Sequence, residues 1–361
     1  MHLIITRTFP PDVGGMQNLM WGLARSLSKF FLIKVFADHA DGFEKFDNSV
    51  SFSIERVSGV KLFRKYRKSY LINEYLKHNN NVQCLIADHW KSLELIQTNK
   101  KKICLIHSKE INHPKGSRLN TKVLQVLNNV DHVIANSNFT KDLAINLGVE
   151  EHRILVINPG VDPVKEIPSK DLKKADEVFK GKKQRLITVS RYDKRKNHEK
   201  VIMAIRNLKE LYPDIVYICI GYGDEEENLK KLVIELNLEN HVVFLNDISN
   251  ELKNALIAKS DVFIMPSIIH KTSVEGFGIS FIEAAQYGIP SIGGKDGGAS
   301  DAITHNVSGL ICDGNSLDDV YSSICSMFEN NKHLEYGRNA KENVTKFYWS
   351  NIIDRYSKIL N

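Results

Sequence analysis

Two glutamates eight residues apart, a glycine-flanked helix start and a short run of cations are the parts of this 361-residue sequence best suited to chemistry. In VEGFGISFIEAAQYGIP, residues 274–290, Gly276 and Gly278 precede a helical run with Phe281, Ile282, Ala285 and Tyr287 on its apolar face, closed by Gly288 and Pro290. A helix that begins at glycines offers free backbone N–H groups and the positive end of its dipole to an anion, most often a phosphate. Glu275 stands just before that start and Glu283 about a turn inside it. Carboxylates accept hydrogen bonds from sugar hydroxyls, so phosphates held between two of them suggest a nucleotide-sugar, with one glutamate on the hexose and one on the ribose. The same spacing also suits a helix-terminal charge and a surface residue.

Three further segments carry candidate groups. SRYDKRKNHEKV follows the strand-like run RLITVS, and Arg191 and Lys196 on that loop are suited to the charge that grows on a departing diphosphate. With Lys194 and Arg195 they also read as a solvated loop. In PPDVGGMQ, Gly14 and Gly15 precede a helix and suit either a clamp on an acceptor or phosphate, or a plain turn. His107 ends the run KICLIH, where it is placed to bond a sugar hydroxyl or simply to satisfy a local hydrogen bond. KLFRKYRK packs Lys61, Arg64, Lys65, Arg67 and Lys68 into eight residues, with Phe63 and Tyr66 between them. An anionic membrane surface on the acceptor side is one partner for such a patch; a solvated helix face is the other reading. No nucleic-acid-binding motif accompanies it, so nucleic acid is not expected.

These groups need elements to hold them. HLIIT, FLIKVFA, VQCLIAD, KICLIH, DHVIAN and RILVIN alternate with helical patterns, the first over Met16–Lys29 with Leu19, Met20, Leu23, Leu27 and Phe30 on one face. After a proline-flanked, lysine-rich stretch at 161–183 the alternation resumes with RLITVS, DIVYICIG, HVVFL, DVFIM, IPSIGG and GLICD, and Leu334–Leu360 reads as helical. The fold class expected is α/β, two doubly wound Rossmann-like domains facing across a cleft in which ligands sit. Length and composition agree: 42% hydrophobic and 25% charged residues exclude a disordered or fibrous chain. The net charge of +6 divides into +7 up to Pro163 and −1 beyond it, so the basic excess is N-terminal. Cys84, Cys104, Cys219, Cys312 and Cys325 read as buried thiols, neither disulfides nor a zinc site. There is no apolar run of membrane-spanning length and no signal-peptide pattern, so a cytoplasmic protein is expected, with a peripheral hold on the inner face of the membrane through the basic patch.

FPPDVGGMQ, HSKEI, ANSNFT, NPGVD, SRYDKRK, GYGDEEENL, FIMPS and EGFGISFIEAAQYGIP, in this order and over nearly the whole chain, resemble the family-4 retaining glycosyltransferases of the GT-B fold, and within them the phosphatidylinositol mannosyltransferase branch. The resemblance implies an N-terminal acceptor-side domain over 1–163, a nucleotide-sugar domain over 164–345 and a C-terminal helix, 346–361, that packs back on the first domain. It places Glu275 on the donor hexose, Glu283 on the ribose, Arg191 and Lys196 on the diphosphate, and the backbone of Phe277, Gly278 and Ile279 on hexose and phosphate. It places His107 near the transferred sugar and Gly15 at the donor phosphates. The implied reaction moves a hexose, with mannose from GDP-mannose favoured over UDP-sugars, to the hydroxyl of a lipid, glycan or polyol, without a metal or resident cofactor. Ser108 and Lys109 replace a glycine or histidine frequent in relatives, and Phe244–Asp247 replace a glycine-containing turn at the base, so acceptor and base stay open. Rival readings are a nucleotide-sugar epimerase or phosphorylase on the same fold, and a non-catalytic scaffold at a membrane surface.

Overall fold

A computed structural model describes residues 1–360, the side chain of Lys61 excepted. The chain forms two compact units, Met1–Asp162 with the C-terminal stretch from Phe347, and Pro163–Lys346. The first holds a seven-stranded sheet of β1 (His2–Ile5), β2 (Ile33–Asp38), β3 (Ser53–Val57), β4 (Cys84–Ala87), β5 (Lys101–Ile106), β6 (His132–Ala135) and β7 (Ile154–Val156). Its order is β3-β2-β1-β4-β5-β6-β7, every pair parallel. The second unit holds β8 (Arg185–Val189), β9 (Val216–Ile220), β10 (Val242–Leu245), β11 (Val262–Met265), β12 (Ser291–Gly294) and β13 (Gly309–Cys312), again all parallel, in the order β10-β9-β8-β11-β12-β13.

Helices cover both faces of a parallel sheet, which is why its strands read as continuous apolar runs. The two-residue period of a strand then sorts each run between two cores. Leu3 and Ile5 of β1 enter one core of the first unit while Ile4 enters the other. In the second unit Tyr217 and Cys219 of β9 point one way, Ile218 and Ile220 the opposite way.

Four details depart from the sequence expectations. The first helix runs Gly15–Leu27, so Phe30 falls beyond its end and is exposed. The C-terminal segment is two helices, Lys332–Asn343 and Trp349–Leu360, separated by a 3₁₀ turn over Val344–Phe347. That turn is where Phe347 O accepts the Val161 N–H at 2.9 Å and Trp349 N–H is donated to Val161 O at 3.1 Å, pairing the last segment with the end of the first domain's chain. Four cysteines are buried thiols, whereas Cys325, on the helix Leu317–Phe328, is half-buried. Finally, Lys68 of the basic run is a buried residue on the helix Arg64–His78.

Candidate functional site

In the second sheet the chain lays β8, β9 and β10 outward and then returns to place β11 on the other side of β8. Open α/β sheets bind ligands outside the carboxyl ends of the strands at such a reversal. The loop leaving β8 is therefore the first place to look, and it is tightly fixed. Asp193 caps its single 3₁₀ turn, accepting the Lys196 N–H at 3.1 Å. Asn197, in the left-handed region at φ 63°, donates from Nδ2 to the carbonyls of Pro266 and Gly314 at 3.0 and 2.7 Å. Beneath it the His198 ring lies 2.8 Å from the Tyr217 hydroxyl through Nδ1 and 3.0 Å from Ser190 Oγ through Nε2. Burial, with the Lys196 charge nearby, holds the His198 pKa down at about 3, so the ring is neutral.

That scaffold turns Lys196 and Arg195 onto Glu275. Lys196 Nζ and Arg195 donate to the same oxygen, Glu275 Oε2, with side chains only 11%, 9% and 12% exposed respectively. Lys196 Nζ also lies 3.2 Å from Met265 Sδ, and Arg195 is 3.7 Å from Asp193. The Glu275 carbonyl accepts the Gly298 N–H at 2.9 Å, fixing the segment on that side. Burial raises the Glu275 pKa, but the Lys196 and Arg195 charges outweigh it and hold the carboxyl at about 2. Burial pulls the Lys196 ammonium below its ordinary range against the attraction of Glu275.

Next to this cluster begins the helix Ile279–Gln286. Gly278 holds the left-handed conformation at φ +87° before it, a region costly for residues with a Cβ. No side chain caps the helix and its first turn has no acidic residue, so its first N–H groups keep their capacity for an anion. Phe277 is buried and Ile279 half-buried. Glu283 is about one-third exposed, with Lys253 Nζ 3.8 Å away.

The structure thus brings Lys196 and Glu275 together with the Phe277–Ile279 turn, and it adds Arg195, which sequence reasoning had counted only among the loop's cations. Arg191 is not in the buried cluster: its guanidinium is 65% exposed and pairs with Asp193 at 3.6 Å. Tyr222 was also missed, an exposed ring at the carboxyl edge of β9 whose carbonyl accepts the Tyr192 N–H at 3.0 Å. An exposed aromatic face is a surface on which a base can stack.

The first unit carries the remaining candidates. His107 follows β5; its backbone N–H is bonded to Glu110 Oε1 at 2.5 Å, and its Nε2 is buried without a hydrogen-bond partner among the described residues. The next residue, Ser108, is fully buried at φ 82°, a strained conformation of the kind that clusters at functional positions. Gly15 is the exposed first residue of its helix, which has neither a side-chain cap nor an acidic first turn. A Cβ there would meet no atom within 4 Å, so the fold itself does not require glycine. This sheet reverses between β1 and β4, and sequence reasoning passed over the residues leaving those strands. Asp88 Oδ2 accepts from Thr6 Oγ1 at 2.8 Å and from the Arg7 N–H at 2.7 Å. Burial, then the Arg7 and Lys91 charges, push the adjacent His89 down to about 3. The signal for them was the pair of strand ends ITR and ADH.

The basic run needs correction as a surface patch. Lys68 Nζ reaches inward, 2.5 Å from Asp38 Oδ1 and 2.5 Å from the Thr6 carbonyl, because Asp38 ends β2 beneath the helix. Arg64 also pairs with Asp38, at 3.6 Å, and Lys65 with Glu94, at 2.8 Å. Arg67 is exposed, and the Lys61 side chain lies outside the described residues. What the surface gains instead is apolar: Val60, Leu62, Phe63, Tyr66 and Tyr70 are each more than half exposed.

Residues 13–165 match the family described as Glycosyltransferase Family 4, and residues 169–346 match Glycosyl transferases group 1. The GDP-mannose-dependent alpha-(1-6)-phosphatidylinositol monomannoside mannosyltransferase of Mycobacterium tuberculosis is 24% identical over 99% of this chain and 97% of its own length. The mouse alpha-1,3/1,6-mannosyltransferase ALG2 is 31% identical over 51% of this chain and 46% of its own. Among solved structures, Anabaena Alr3699/HepE in complex with UDP superposes with a TM-score of 0.83 at 20% identity, covering 99% of both chains. The sucrose-phosphate synthase of Thermosynechococcus elongatus superposes at 0.80 with 18% identity, covering 99% of this chain and 98% of its own. With both halves matched in sequence and two parallel sheets of the GT-B pattern, the chain belongs to the glycosyltransferases of the group 1, family 4 type.

Proposed function

We propose that this glycosyltransferase moves a hexose, mannose in the first instance, from a nucleoside-diphosphate sugar to a hydroxyl of a lipid or lipid-linked glycan, with retention at the anomeric carbon. The observation that carries the reading is the buried Lys196–Arg195–Glu275 cluster beside the uncapped start of Ile279–Gln286 at the reversal of the second sheet. A diphosphate calls for cations and N–H donors, and a hexose calls for carboxylate acceptors; one loop cluster offers both. Mannose leads because the full-length mycobacterial relative is GDP-mannose-dependent, while the HepE structures with UDP and UDP-glucose keep uridine donors among the candidates.

In the proposed reaction the bond from the anomeric carbon to the β-phosphate oxygen breaks, and the bond to the acceptor oxygen forms on the same face. The acceptor proton passes to the departing phosphate oxygen, whose growing charge Lys196 and Arg191 stabilise together with the helix N–H groups. No side chain acts as nucleophile. The cations fill the role of a divalent ion, so neither metal nor resident cofactor enters the scheme, and the nucleotide sugar is a substrate. Glu283 is assigned to the ribose, His107 to a sugar hydroxyl and Gly15 to a phosphate oxygen.

Thermal unfolding in the presence of GDP-mannose, GDP-glucose and UDP-glucose tests this. A donor at 100 times its dissociation constant adds about 2.7 kcal/mol, which raises the transition of a unit this size by roughly 5–11 °C. The transferred hexose should keep its α configuration by NMR. Silence toward every GDP- and UDP-hexose, or an inverted product, sinks the proposal.

We further propose that the protein works in the cytoplasm at the inner face of a membrane. No helix among the described residues is long and apolar enough to cross a bilayer; the hold we propose is peripheral. With Lys68, Arg64 and Lys65 paired internally, the exposed side chains of Val60, Leu62, Phe63, Tyr66 and Tyr70 supply an apolar part and Arg67 an electrostatic one. Vesicles rich in phosphatidylinositol should pellet the protein at about 0.05 M salt, and less of it at about 0.5 M. Leu62→Asp with Phe63→Asp should abolish pelleting at both. Pelleting that ignores salt and survives the double substitution removes the membrane assignment and leaves the enzymatic one untouched.

A further inference from the structure

Lys196 and Arg195 both direct a hydrogen bond to one oxygen of Glu275, so a single buried carboxylate faces two buried cations. Two cations this deeply buried cannot stand bare, because an unpaired buried charge is strongly unfavourable. Some anion must always face them. Glu275 is an anion that faces both; resting on the donor-site reading above, a bound diphosphate takes its place on Lys196 while Arg195 stays on Glu275.

We propose that Glu275 is a resident competitor for the diphosphate, a specificity-determining group that favours sugar-bearing donors over the nucleoside diphosphate product. A diphosphate entering on Lys196 brings further negative charge against the Glu275 carboxylate, and like charges at contact distance repel. The carboxylate gives way, and its new surroundings depend on the ligand. A donor with its hexose attached presents hydroxyls to the displaced carboxylate, which regains hydrogen bonds. A nucleoside diphosphate offers none, so the carboxylate is left buried with Arg195 as its one remaining partner and pulls back onto Lys196, expelling the product.

A second observation points the same way. Arg195 is more than nine-tenths buried, yet its Nε has no hydrogen-bond partner among the described residues. A guanidinium presents its donors in a fixed fork, so Arg195 keeps a donor in reserve for the moment when one anion replaces the other. Arg195 acts here as a positioning residue, holding Glu275 ionised after Lys196 has turned to the phosphate.

The test is calorimetric binding of inorganic pyrophosphate, GDP, UDP and the matching nucleotide sugars to the wild-type chain and to Glu275→Gln. The variant should bind pyrophosphate and the preferred diphosphate at least tenfold more tightly than wild type, and its preference for nucleotide sugar over diphosphate should fall at least tenfold. Its unfolding temperature without ligand should drop, since two cations lose their anion, and pyrophosphate should restore more of it than it adds to wild type. Should Glu275→Gln not fold, Glu275→Asp keeps the charge on a shorter arm and should bind pyrophosphate about threefold more tightly than wild type. Unchanged or weaker pyrophosphate binding in the folded variant, with nucleotide sugars still bound by wild type, overturns the inference and leaves the donor site standing. Indifference of the wild-type chain to nucleotide sugars overturns both.

Discussion

Lys196→Ala is expected to lower turnover by roughly 10²- to 10³-fold, the loss found when one preorganised donor to a developing oxyanion is removed. The ammonium is placed by three constraints that do not depend on a ligand: the Asp193 cap, the Asn197 side chain bonded to two carbonyls, and the neutral His198 ring below the loop. Because these bonds do not involve the lysine side chain, the truncation should leave the loop in place. Glu275 retains Arg195 as its counter-charge, so the buried carboxylate is not stranded. The loss should therefore appear in kcat more than in unfolding temperature. Lys194→Ala provides the control, since that side chain is exposed on the same turn and a surface substitution of this kind typically shifts stability by less than about 0.5 kcal/mol. Steady-state release of nucleoside diphosphate in the presence of acceptor measures both variants. Full activity in Lys196→Ala would remove the lysine from the reaction and with it the proposed role of the cluster.

The location of this site was legible before its contacts were. RLITVS and FIMPS mark the carboxyl ends of β8 and β11, and chemistry-bearing loops gather at such ends. The partnership of Lys196 with Glu275 spans 79 residues and three intervening strands, a distance over which spacing carries no information. Arg195 was hidden for a different reason. In a run of four cations each looks equally solvated, and only the fold decides that Arg195 turns inward while Arg191 stays in water. Lys68 illustrates the same failure in reverse. A lysine within KLFRKYRK reads as surface charge, but the helix places it over Asp38, and a buried cation with a carboxylate and a carbonyl to bond is tolerated.

At the level of elements the apolar runs identified the strands well, because a strand buried on both faces has no polar alternation to obscure it. The C-terminal segment was less legible. Periodicity alone joins Lys332–Asn343 and Trp349–Leu360 into one helical stretch, although the first belongs to the second unit and the other to the first. The break is set by tertiary pairing of Val161 with Tyr348, which local sequence does not encode.

That pairing leads to the largest stability effect expected in the chain, from Trp349→Ala. The Trp349 side chain begins the last helix and is buried in the core formed with Leu19, Met20, Leu23 and Leu27 of the first helix, where Ile352, Ile353, Tyr356 and Leu360 follow it. Two glycines admit its ring. A Cβ on Gly22 would lie 2.2 Å from Trp349 Nε1, and one on Gly160 would lie 2.4 Å from Cδ2. The indole is thus enclosed by backbone on two sides, and the site has little means of collapsing once it is gone. Buried aromatic-to-alanine changes cost about 3–5 kcal/mol, which lowers the transition of the first unit by roughly 6–20 °C. Gly22→Ala in the wild-type background should also destabilise, because the new methyl meets the ring. In the Trp349→Ala background the same methyl enters the space left by the indole, so the double variant should be more stable than the sum of the two single losses predicts. Scanning calorimetry of the four proteins reads this directly. Strict additivity would show that the ring and Gly22 do not meet, and the last helix would then owe its place to Ile352, Ile353 and Tyr356 alone.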